Sequence, residues 1–152
     1  MQSMQLPPRM ALAEKEVESR RTYAEIQADL LKRIPAKYLD TKRKQSATLT
    51  FIPWYHCCQV LDDYAPGWEG RITETRFTAD RIFVTYSLTI HASDRSVTRE
   101  ATGTEVLKEL DKEGNIREIA YGDPSSNASS MAFRRAAAGH GLGRYLYDKK
   151  TR

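Results

Sequence analysis

Cysteine is nearly absent from this chain, and its two copies, Cys57 and Cys58, are neighbours. Adjacent residues rarely reach disulfide geometry, so a disulfide-stapled fold is excluded and reduced thiols are expected. His56 precedes them, but no second cluster at ligand spacing accompanies the trio, so no metal is expected. No apolar run approaches the roughly 18 residues of a membrane-spanning helix, which removes a membrane partner. The first residues lack the apolar segment of a secretory signal, and Glu14, Glu16 and Glu18 among the arginines are foreign to a transit peptide. A cytoplasmic, nucleoid-associated protein is the expectation, with organellar and nuclear sites left open. Also missing is a G-x-x-x-x-G-K-[ST] loop, which removes P-loop nucleotide hydrolysis. Gly139-His-Gly-Leu-Gly143 has the composition of a phosphate loop, yet it follows a helical pattern instead of joining strand to helix. It reads as a helix C-cap. Asp62-Asp63 reads as a solvated pair, and His91 and His140 have no carboxylate or nucleophile partner nearby in sequence. Neither an enzyme nor a cofactor is expected.

What is present suits one compact core: 152 residues, 40% hydrophobic and 29% charged. Residues 1–9, with Pro7 and Pro8, read as a disordered tail, and residues 10–150 as one domain. Residues 10–33 read as helix, in one or two pieces, with Tyr23, Ile26, Leu30 and Ile34 as an apolar stripe that Pro35 ends. Lys42-Arg43-Lys44 is a basic turn before a strand over Ala47–Ile52, and Pro53 opens a short helix through Tyr64. An antiparallel meander follows, over Trp68–Thr78, a second strand and Val97–Val106. In the second strand Ile82, Val84, Tyr86, Leu88 and Ile90 face one way, and Thr85, Ser87 and Thr89 the other. Lys112–Asn115 turns into a short extra strand, Ile116–Tyr121. Asp123 and Pro124 are the N-cap and first residue of a helix ending near Gly139 or Gly141, and a last short helix carries Leu142, Tyr145 and Leu146. The fold class is α+β: an antiparallel β-meander with a β-β-β-α core, packed against helices.

The net charge is +4, and all of it lies in residues 123–152. That segment carries Arg134, Arg135, Arg144, Lys149, Lys150 and Arg152 against Asp123 and Asp148, while residues 1–122 balance. Such a concentration marks either a polyanion-binding face or a solvated helix with a basic tail. Arg134 and Arg135 sit on one helix beside Ala136-Ala137-Ala138, whose small side chains let a helix pack closely on a sheet and hold its arginines fixed. Guanidinium groups offer planar, multi-donor contacts to phosphate.

Four segments, in order, resemble the annealing domain of the Rad-fifty-two-type recombination mediators and their bacterial, phage and organellar relatives, from about Ala24 to Lys149. They are Lys37-Tyr-Leu-Asp-Thr-Lys-Arg-Lys44; Leu49-Thr-Phe-Ile-Pro-Trp-Tyr-His56 through Gly67-Trp68; the meander ending Thr102-Gly103-Thr104; and Ser130-Met-Ala-Phe-Arg-Arg-Ala-Ala-Ala-Gly-His-Gly-Leu-Gly-Arg-Tyr-Leu146. The last is the most specific. The resemblance implies an annealing fold that assembles into a ring or helical oligomer and lays single-stranded DNA in a continuous basic groove, with single-strand-binding protein as a further partner. By position, Arg134 and Arg135 match the family's basic pair at the groove floor, and His56 falls where the family often has arginine. A third basic position is Ala138 here, so Arg144 or the Lys42, Arg43, Lys44 cluster is expected to substitute. The chain ends soon after this domain, so a C-terminal region that recruits a recombinase is expected to be absent. Two other readings remain: a general single-stranded nucleic-acid (RNA) module without annealing activity, and a small α+β enzyme or ligand-binding domain.

Overall fold

The computed structural model describes residues 21–118 and 123–148. The expected tail over 1–9, and the part of the expected first helix over 10–20, lie outside them. Helix α1 (Tyr23–Leu30) starts at a capping box, in which the Thr22 side chain accepts from the Glu25 amide and the Glu25 carboxylate reaches back to the Thr22 amide. Asp94, in the turn of a distant hairpin, accepts from the Tyr23 amide at 2.8 Å and anchors the helix start. Tyr23, Ile26 and Leu30 face the core, as their spacing predicts. The helix ends at Leu30 and not at residue 33: the Lys32 amide bonds to Asp29 instead of a residue four back, tightening the last turn. Pro35 disfavours helical backbone at Ile34, whose side chain is buried from outside the helix.

A 3-10 turn at Ala36–Tyr38 leads into strands β1 (Asp40–Lys44) and β2 (Ala47–Phe51), which form an antiparallel hairpin. The basic cluster at residues 42–44 is therefore strand and not turn; the turn is Gln45-Ser46, with Gln45 at φ 57°. Helix α2 (Trp54–Tyr64) follows Pro53. Then come the meander strands β3 (Glu69–Phe77), β4 (Arg81–His91) and β5 (Ser96–Val106), with β4 central and a bulge in β3 between Ile72 and Glu74. A small hairpin, β6 (Lys108–Leu110) with β7 (Ile116–Glu118), closes this region. The rest of the expected strand to Tyr121 lies outside the described residues.

Helix α3 (Pro124–His140) lies across β4 and β5 and covers one face of the sheet. Asp123 caps it, accepting from the Ser125 and Ser126 amides. Ala128, Ala132 and Ala136, each four residues on, form the contact stripe and are buried. The approach is so close that a Cβ on Gly103 of β5 would collide with the Ala128 carbonyl and fall 2.6 Å from the Ala132 amide nitrogen. The helix stops as the glycine spacing predicts. Gly141 takes φ 119°, its amide bonds to Ala138, and the Leu142 amide reaches back to Ala137. Ile82, Val84, Leu88 and Ile90 of β4 are buried beneath the helices.

The two histidines without sequence neighbours do have partners. His140 is fully buried, with Nδ1 2.8 Å from the Tyr23 hydroxyl and Nε2 2.9 Å from the Leu88 carbonyl. His91 lies between Ser96 Oγ at 2.7 Å and the Glu69 carboxylate at 3.0 Å, tying together the ends of β3, β4 and β5. Strand pairing gathers the His91 set and the packing of α1 and α3 on the sheet gathers the His140 set, so local spacing does not reveal them. Asp62 accepts from the Trp68 indole at 2.7 Å, and no helix among the described residues is long and apolar enough to cross a membrane.

Candidate nucleic-acid interface

Strand alternation decides which basic residues converge. Side chains at positions 42 and 44 of β1 share one face of the hairpin, and position 43 takes the other. Lys42 and Lys44 accordingly line a groove of about 180 Å³ together with Arg134 and Arg135 of α3; Arg43 does not. Leu49, Phe51, Ile52, Leu142 and Leu146 give the groove an apolar floor, with Met131 and Tyr147 at its margin. Four cations from two elements 90 residues apart in sequence thus meet over one surface.

Their positive charges lie close enough to act on one another. The Lys42 ammonium lies 5.0 Å, and the Arg134 guanidinium carbon 5.1 Å, from the centre of the Phe51 ring. The ring's negative face attracts both and holds them near each other. Among the described residues none of the four cations is in an ion pair with a carboxylate. Burial, then the charges of Arg134 and Lys44, push the Lys42 pKa below its ordinary value, with the Glu105 carboxylate acting the other way. A bound anion would relieve that repulsion. Arg135 donates one N–H to the Thr102 carbonyl at 3.0 Å, which fixes its direction and leaves the other donors of the fork for a ligand.

Residues 22–152 match the Rad52/22 family of double-strand break repair proteins. The chain is 33% identical over 131 residues to the mitochondrial DNA repair RAD52-like protein 1 of Arabidopsis thaliana, covering 85% of this chain and 69% of the relative. It is 40% identical over 133 residues to the chloroplastic DNA repair RAD52-like protein 2 of the same plant, covering 85% and 62%. The chain belongs to the Rad52/22 family. It spans about two thirds of the length of these relatives.

Within this Rad52/22 fold the remaining expected site residues lie elsewhere. His56, in the first turn of α2, donates from Nδ1 to the Tyr38 carbonyl at 3.0 Å, between the rings of Tyr38 and Tyr55, and does not line the groove. Arg144 donates to the Ala138 and Gly139 carbonyls, both at 2.9 Å, and so closes the C-terminal end of α3. The residue at 138 is a buried alanine facing the fold. Sequence reasoning missed Phe51, the ring that gathers Lys42 and Arg134. Its signal was available in the alternation of Ala47-Thr-Leu-Thr-Phe51, which places Leu49 and Phe51 on the same side as Lys42 and Lys44 once the hairpin is recognised.

Proposed function

We propose that this protein binds single-stranded DNA and anneals complementary strands without a nucleotide cofactor, in homologous recombination or repair. The observation that carries the reading is the convergence of Lys42, Lys44, Arg134 and Arg135, unpaired with carboxylates among the described residues, over one open groove. Annealing demands that two polyanions be neutralised without covering the base edges. Contacts from lysine and arginine to phosphate achieve this, because they position a strand and carry no sequence information.

Four cations on one subunit hold a strand weakly; several subunits on the same strand multiply that affinity through effective concentration. Assembly into a ring or helical filament is therefore part of the proposal. The surface offers two supports. Among the described residues β3 and β5 are the outer strands of their sheet, and sheet edges are templates for pairing with a second chain. Leu110 and Ile116, opposite each other in the small hairpin, are 70% and 71% exposed, and Phe77 at the end of β3 is exposed as well. Apolar side chains so displayed suit burial against another copy. Both named relatives are organellar proteins, which supports an organelle as one place of action.

The test pairs two fluorescent complementary oligonucleotides with the purified protein and no nucleotide. The wild type is expected to accelerate annealing. The double variant Arg134→Ala, Arg135→Ala is expected to keep its oligomer mass and lose most of its single-strand binding and its annealing. Strand binding by the wild type without annealing would favour a general nucleic-acid module. Normal annealing by the double variant would show that the groove is misplaced.

A further inference from the structure

Beside the cationic groove, on the other flank of the same stretch of α3, lies a second recess of different chemistry. It measures about 240 Å³ and its surface is mostly apolar. Phe133 and Tyr86, their rings 5.1 Å apart, form its floor, backed by Trp68, which stacks on Phe133 at 5.8 Å and 19°. Trp54, at the start of α2, is its wall and is 51% exposed. Ser126 and Ser130 of α3 add hydroxyl groups at the rim.

Nothing in the recess carries charge at neutral pH. Burial raises both the Cys58 thiol and the Tyr86 phenol above their ordinary values, so both keep their protons. The groove cations are close by. Arg134 follows Phe133 directly, stands one helical turn after Ser130, and is near enough to α2 that its charge acts on the Cys57 thiol. A neutral, aromatic-walled recess thus shares a ridge with a cluster of fixed positive charge. That pairing matches the two halves of a nucleotide, a planar uncharged ring joined to an anionic phosphate. Single strands are generally held by such a basic track with an aromatic stacking partner.

We propose that the recess takes one nucleobase of a strand whose phosphates lie on Lys42, Lys44, Arg134 and Arg135, with Trp54 as the stacking wall. The inference rests on the phosphate-groove reading above and adds the base contact to it. Stacking accepts every base, and serine hydroxyls both donate and accept, so the recess holds a base without choosing among the four. One base per subunit would be parked there while the intervening bases stay open to pairing. The strand would therefore be held in repeating short segments.

The experiment compares wild type, Trp54→Ala and Trp54→Phe for binding to an oligo-dT and to an abasic deoxyribose-phosphate chain of equal length. Oligomer mass is measured in parallel. Trp54 is half exposed at a helix start, so alanine there preserves the fold. Trp54→Ala is expected to lose on the order of tenfold in affinity for oligo-dT. It should lose nothing on the abasic chain and keep the salt dependence of the wild type, and Trp54→Phe should retain most of the affinity. An unchanged affinity for oligo-dT overturns the proposal, as does an equal loss on both chains. A fall in oligomer mass on Trp54→Ala overturns it too, by assigning the recess to a second copy of this chain. If Arg134→Ala, Arg135→Ala abolishes binding while Trp54→Ala leaves the oligo-dT affinity unchanged, the groove reading survives and the recess falls. If the wild type binds neither polymer, both fall together.

Discussion

At the scale of the residue, His140 has its protonation state dictated by its neighbours. A carbonyl only accepts, so the nitrogen facing Leu88, Nε2, carries the proton and Nδ1 accepts from the Tyr23 hydroxyl. Burial first of all, with the charges of Arg99 and Arg144 acting the same way, pushes the His140 pKa below its ordinary value against the hydrogen bond to Leu88. The unfolded chain then binds a proton that the folded chain refuses. The corresponding stability is complete above the unfolded pKa of about 6.5 and is lost progressively as pH falls below it. Asp29 and Asp123, held below the ordinary carboxylate range by their hydrogen bonds, lose their contributions only at more acid pH. Thermal melts between about pH 7 and 5 should therefore show a falling Tm in the wild type and a flatter profile in His140→Gln. Identical slopes would refute the assignment. None of this is legible locally, because Tyr23 and His140 are 117 residues apart. Arg144 shows the same limit: the turn at Gly141 sends its guanidinium back onto helix carbonyls.

At the scale of the element, α3 and its approach to β5 position the site. The close packing of α3 was readable from Ala136-Ala137-Ala138, and its N-cap and C-cap from local residue type and spacing, whereas the stripe through Ala128 and Ala132 was not read. The role of Gly103 was not, since what it avoids is a helix backbone that arrives 25 residues later. Gly103→Ala should force α3 away from the sheet and destabilise the protein by on the order of 3 kcal/mol, as overpacking against rigid backbone does. Chemical denaturation measures this directly, and a variant as stable as the wild type would mean that the helix rides higher than described. The basic cluster at residues 42–44 was recognised by composition but assigned to a turn. Its charges obscured a strand whose partner, β2, was itself clear. Strand period, once granted, separates Lys42 and Lys44 from Arg43 without any further information.

At the scale of the whole molecule, the charge excess in the last 30 residues marks only part of the proposed site. Arg134 and Arg135 are in the groove, Arg144 closes a helix, and the complementary half of the site comes from a hairpin in a segment of balanced charge. Family membership was legible from the order of four motifs, the last of which spans both groove arginines and the helix end. The central proposal is that Lys42, Lys44, Arg134 and Arg135 grip phosphate. The most direct measurement is single-strand affinity against salt concentration for the wild type and for variants at positions 42, 43, 44, 134 and 135. Each phosphate neutralised contributes about −0.7 to the log–log slope on a single strand. Lys42→Ala, Lys44→Ala, Arg134→Ala and Arg135→Ala should each make the slope shallower by about that amount per subunit site, and Arg43→Ala should leave it unchanged. A slope that is flat in the wild type, or one that responds to Arg43 and ignores Lys42, would contradict the account.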